Sequence, residues 1–253
     1  MRAGDAAASG TTDGGAGQSP GDNRLLAALP AEARRRLQPH LERVRLQIRQ
    51  PLYEPHLPIE HVYFPVTGVV SLFAAMAEGP LVEVSTVGRE GMVGVPVLLG
   101  AAAVPGRARC QIEGHFWRLP SAAFQEETRR DGLLRDLLER YVAVYVDELS
   151  QWAGCYRAHG LEARCARWLL ITHDRVEGDR FLLTQEFLAS MLGVRRATVS
   201  AVMGALRQAG LVQYTRGHVT ILDRALLAAT SCSCYQVVND RYARLLADAS
   251  TGR

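Results

Sequence analysis

The chain has 253 residues, with 29 basic groups (all arginine), 26 acidic groups and a formal net charge of +3. That length allows one large or two modest domains with a sizeable core, and so small a net charge neither demands nor excludes a nucleic acid. No apolar run approaches a membrane span and no secretory signal is seen; five cysteines, an odd number without framework spacing, point to a reducing cytoplasm.

Residues 1–22 are Gly, Ala, Ser, Thr and Asp with almost no large apolar side chain, the composition of a disordered tail. A first domain is expected over 23–130. It opens with a short helix in 23–41, interrupted by Pro30, and continues over 44–118 as short strands with Pro or Gly at nearly every break. Period-two alternation in 81–85 and 109–113 suggests a β-barrel or jelly roll. Residues 131–160 have no strand signal and no proline. There Leu134, Leu138, Tyr141, Tyr145, Leu149 and Trp152 recur at three- and four-residue steps, forming one stripe. We read it as the seam of a dimerisation helix, with packing on the chain's own barrel as the alternative.

The most informative window lies in 161–229. Thr184 is placed to cap a helix that carries Leu188 and Leu192 on one face. Gly193 can take positive φ where that helix stops. A second helix opens near Arg195, carries Val199, Val202 and Leu206 at helical spacing, and stops at Gly210. The small Ala189 lets two helices cross closely, as a helix-turn-helix requires; an ordinary helical hairpin would not meet so many positional constraints. Runs 211–214 and 219–222 then read as strands separated by Thr215-Arg216-Gly217-His218, within which Arg216-Gly217 suits a two-residue turn, the hairpin of a winged helix. Residues 230–253 form a helical extension that carries Cys232-Ser-Cys234. Two thiolates are half of a zinc site and no partner motif is evident, so these are expected as buried thiols, with no metal site and no cofactor.

The segments FPVTGVVSLF and VGREGMVGVPVLLG, with ARWLL, DRVEG and LTQEFLASMLGVRRATVS further on, resemble the CRP/FNR family of bacterial transcription regulators. The resemblance implies an α+β chain: an N-terminal cyclic-nucleotide-binding-like β-roll (a jelly roll), a long dimerisation helix and a C-terminal winged helix-turn-helix. It implies a cytoplasmic homodimer on a pseudo-palindromic double-stranded DNA operator, with RNA polymerase as a partner if it activates, an unknown small-molecule effector, no membrane partner and no enzymatic activity. The DNA contacts it suggests are Thr184, Gln185, Arg195, Arg196, Thr198, Ser200, Arg216 and His218, with the hydroxyls of Thr198 and Ser200 equally able to back-bond within their helix. Arg196 keeps the family's first arginine and suits a bidentate contact to guanine, but Ala197 and Ala201 replace the usual Glu and second Arg, so the half-site differs.

Effector contacts would fall at Gly91, Gly94, Val95, Arg107 and Arg109. Here too the chain departs from the family: Val95 stands where cyclic-nucleotide binders place a glutamate, and no serine adjoins Arg107 or Arg109. A ribose hydroxyl facing Val95 would lose about 1–3 kcal/mol, which argues against cyclic AMP in the usual mode. The iron–sulfur branch needs N-terminal cysteines, and the first cysteine here is Cys110. His40, His56, His61 and His115 stand singly, as structural or exposed histidines do. Two other classes fit the sequence less well. A cupin-like metal enzyme would use His56, Glu60 and His61 but lacks the second, distant histidine. A sensor acting through protein partners would need a vestigial winged helix, which the completeness of the motif opposes.

Overall fold

The computed structural model describes residues 22–76 and 82–251; most of the expected tail lies outside them. The first helix is held by a buried side chain. Asn23 caps α1 (Arg24–Ala27) by accepting the Leu26 N–H at 2.9 Å, and its amide donates to the carbonyls of Pro65 and Gly91 at 2.9 and 3.0 Å. Pro30 separates α1 from α2 (Ala31–Leu37) because it can open a helix but not continue one.

The expected β-roll is present as two antiparallel sheets. One holds β1 (Glu42–Leu46), β7 (Gly114–Pro120) and β3 (His61–Pro65), in the order β1-β7-β3. The other holds β2 (Pro51–Tyr53), β6 (Arg107–Ile112), β4 (Val69–Ala74) and β5 (Val82–Val87), in the order β2-β6-β4-β5. Val44, Tyr63, Val70, Ala108, Cys110 and Phe116 are all buried between them, so side chains of the roll fill its own interior. In β5 the alternation runs opposite to hydrophobicity: Glu83 and Ser85 point inward, while Val82 and Val84 are each 39% exposed. A short α3 (Val95–Leu98) and α4 (Ser121–Arg130) lead to α5 (Gly132–Ala158), 27 residues capped by Asp131, which accepts the N–H groups of Leu133 and Leu134.

The long helix appears where the sequence placed it, but its stripe does not face outward. Leu134, Leu138, Tyr141 and Trp152 are buried in the protomer's own core. The reason is the C-terminal extension. It folds as α10 (Cys234–Thr251) and lies along α5, where its Val238, Tyr242 and Leu245 join the same cluster. The Tyr242 hydroxyl donates to Glu148 at 2.6 Å, and the Trp152 indole donates to the same carboxyl at 3.0 Å. Of the expected stripe Tyr145 and Leu149 stay half-buried, and Leu149 continues an outer row with Val142, Val146, Ala153 and Tyr156.

Beyond α5 the chain turns at His159 and Gly160 into α6 (Leu161–His173). There follow β8 (Arg180–Leu182), α7 (Gln185–Leu192), α8 (Arg196–Gln208), β9 (Val212–Thr215), β10 (His218–Ile221) and α9 (Arg224–Thr230). β8 was not foreseen; it adds to the hairpin as the order β8-β10-β9. The helices and this sheet share one core that includes Leu169, Leu188, Val199, Leu206 and Val219.

Candidate nucleic-acid interface

Thr184 caps α7 as expected, its hydroxyl oxygen accepting the Phe187 N–H at 3.1 Å. Gly193 ends the helix at φ 66°, where a side chain would be strained. Ala189, 5% exposed, lies in the core that α7 and α8 share. Their packing buries Val199, Met203 and Leu206; Val202, expected in that row, is only half-buried and Met203 takes its place.

The opposite face of α8 is open. Arg195, Arg196, Ala197, Thr198, Ser200 and Ala201 are all exposed. Arg195 holds the N-cap position without a capping hydrogen bond, and no acidic residue occupies the first turn. The N–H groups and partial positive charge of this helix end therefore face outward, beside two guanidinium groups, as an anion requires. Arg196 pairs with Glu186 at 3.4 Å, both exposed, a contact worth at most about 1 kcal/mol and readily exchanged for another acceptor. Ser200 does not back-bond within its helix: its hydroxyl donates to Gln185 at 2.6 Å and ties the outer faces of α7 and α8 together.

The wing differs from the expected strands by one residue at each end. Thr215 and His218 are the last ladder pair, which leaves Arg216-Gly217 as the expected two-residue turn. Both residues have positive φ, 50° and 78°, the requirement of the two-residue turn that matches strand twist. Asparagine is the easier residue at the first of these positions, yet an arginine stands there, exposed. The Gly217 carbonyl accepts the Leu183 N–H at 2.8 Å, which fixes the wing tip against the start of α7. The His218 imidazole stays near this tip, 3.3 Å from the Arg216 carbonyl.

The five effector candidates do not come together. Gly91 is packed beneath Tyr141, whose hydroxyl lies 3.1 Å from the Met92 nitrogen, and a Cβ at Gly91 would collide with that ring. Gly94, at φ 108°, caps α3, and Val95 packs in that helix against the core. Arg107 and Arg109 lie on the other sheet, at 3.5 and 3.1 Å from Glu54. Glu54 carried no sequence signal, because the ion pair depends on the register of β2 and β6. His56 and Glu60 are exposed on the turn before β3 and His61 begins that strand, far from a cupin arrangement.

Residues 163–230 match the Crp-like helix-turn-helix domain family. The chain carries a Crp-like helix-turn-helix domain. Solved structures similar to this chain include a CRP/FNR-family transcriptional regulator from Eubacterium rectale, 15% identical with a TM-score of 0.63 over 81% of this chain and 96% of that one. FixK2 from Bradyrhizobium japonicum is 16% identical, TM-score 0.64, over 76% and 98%. A CRP-family regulator from Thermus thermophilus is 22% identical, TM-score 0.61, over 74% and 97%. At these identities the likeness speaks for the fold alone, β-roll included. A search of curated proteins finds no match. No described helix is long and apolar enough to cross a membrane.

Proposed function

We propose that the chain is a transcription regulator of the CRP/FNR type that binds a pseudo-palindromic operator as a homodimer, with α8 in the major groove and the wing on the flanking backbone. The observation that carries this reading is the exposed face of α8, with Arg195 and Arg196 at an uncapped helix start. Arg196 reads a guanine edge, and Thr198 and Ser200 face the same groove. Thr184, Gln185, Arg195, Arg216 and His218 lie towards phosphates. Successive major grooves are about 34 Å apart, so two recognition helices need a rigid seam between them. Val142, Val146, Leu149 and Ala153 supply it. Beside them Val82, Val84 and Tyr156 line an apolar groove of about 650 Å³ that a second copy would cover.

The β-roll acts as the sensor. Its filled interior and the pairing of Arg107 and Arg109 with Glu54 support a stimulus other than cyclic AMP in the usual pocket. The segment Gly88–Gly94 serves as the relay rather than as the ligand contact. It touches α5 through Tyr141, and Glu90 pairs with the buried Arg175, just past α6, at 2.7 Å. An effector acts only by its difference in affinity between two arrangements of such a junction.

The test is selection of bound sites from genomic fragments by the purified protein, followed by titrations over site variants at several salt concentrations. Two inverted half-sites are expected. Arg196→Ala should cost about 1–3 kcal/mol and relax preference at one base pair. Arg216→Ala should weaken all sites alike and lower the salt slope by roughly one per subunit. The reverse pattern would show that the two elements have been assigned to the wrong grooves.

A further inference from the structure

The cysteines without a sequence partner acquire two more donors in the fold. Cys155, in the last turn of α5, and His159, the residue that caps it, are four apart and so share one face of the helix end. Cys232 and Cys234 stand at the start of α10. The four donor atoms all lie within 4.8 Å of one another, with Cys155 Sγ to Cys232 Sγ at 3.5 Å and Cys234 Sγ to His159 Nδ1 at 3.6 Å. A zinc tetrahedron with ordinary bond lengths has edges of about 3.8 Å between sulfurs and about 3.6 Å between sulfur and nitrogen. The three cysteines are buried and the imidazole is half-buried, which leaves one side from which an ion can enter.

We propose that Cys155, His159, Cys232 and Cys234 form a closed, mononuclear zinc site. Thiolate and imidazole donors in a four-coordinate set suit that ion, and the close spacing of the sulfurs suits one metal rather than a multi-iron cluster. The surroundings favour bound thiolates. Gln151 donates its amide N–H to Cys234 Sγ at 3.1 Å, the kind of outer hydrogen bond that orients a ligand. Arg167 is 3% exposed and stacks on Trp152 at 3.9 Å. Its Nε has no hydrogen-bond partner, and its charge acts on Cys155. One divalent ion with three thiolates carries net negative charge, which this buried cation offsets. Binding releases the thiol protons to solvent and needs no oxidant.

The location gives the site its consequence. His159 is the last residue but one before α6, and Cys232 follows α9 by two residues. A zinc ion here ties together the two points where the chain enters and leaves the DNA-binding domain, and fixes both to the end of α5.

The full-length protein, expressed with zinc and dialysed, should carry a single zinc per chain by elemental analysis. Its cobalt-substituted form should show intense visible bands of tetrahedral geometry and a thiolate charge-transfer band. Cys155→Ser and Cys234→Ser should lose the metal, whereas Cys110→Ser and Cys165→Ser, at buried cysteines elsewhere, should keep it. Gln151→Ala should weaken zinc affinity about tenfold or more. Absence of bound metal in the folded wild type, an octahedral cobalt spectrum, or a Cys155–Cys232 disulfide in protein purified without oxygen would overturn the proposal. All of these readouts are independent of DNA binding.

Discussion

Single side chains join the β-roll to the DNA-binding domain. Glu83 on β5 is 7% exposed and accepts the Trp168 indole N–H of α6 at 3.3 Å. Burial raises its pKa from 4.5 to about 7, with Ser71, Trp168 and nearby arginines offsetting part of the effect. Between those two values the folded state keeps a proton that the unfolded chain has released, so stability falls as pH rises through the window. The full loss is about 3 kcal/mol. Glu148, also raised chiefly by burial, acts in the same direction, so the contribution of Glu83 must be read by difference. Denaturant midpoints at about pH 5 and about pH 8 should converge in Glu83→Gln relative to wild type. An unchanged gap would show that the carboxyl is not the group responsible. Nothing in the sequence marks Glu83 as buried, since its neighbour across the contact is 85 residues away.

Elements were easier to read than the faces they present. The positions of α5, α7, α8 and the wing hairpin followed from spacing, capping and glycine placement, because these are local properties of the chain. Which stripe of α5 faces the partner did not. The larger apolar residues Leu134, Leu138, Tyr141 and Trp152 suit a seam by their spacing, yet they are buried under the roll and α10. A period of three to four residues says that a face is covered and not what covers it. The seam is expected instead at Val146, 53% exposed, and its neighbours. Val146→Asp would place two unpaired carboxylates at a two-fold contact, so it should give monomers in sedimentation and sharply weaken operator binding. Persistence of the dimer would move the seam elsewhere. β5 teaches the same lesson, since its apolar residues Val82 and Val84 point outward while Glu83 points in.

At the scale of the whole molecule, the roll, α5 and the DNA-binding domain also meet where the loop after β5 contacts Tyr141 and Arg175. With the roll filled by its own side chains, calorimetric titration with cyclic AMP should show no binding in the micromolar range. Such binding would require the interior to repack and would overturn the assignment of the roll. By itself the sequence determined the order of roll, long helix and winged helix, the caps at Thr184 and Gly193, and the exposed arginines of the recognition helix. These depend on contacts a few residues apart, which composition and period report directly. Only the tertiary structure decided that Ser200 bonds to Gln185, that Glu54 holds Arg107 and Arg109, and that α10 covers the large stripe of α5. It also decided that Cys232 and Cys234 meet Cys155 and His159. Each of these joins side chains distant in sequence, and a one-dimensional pattern carries no record of which distant face comes to rest against another.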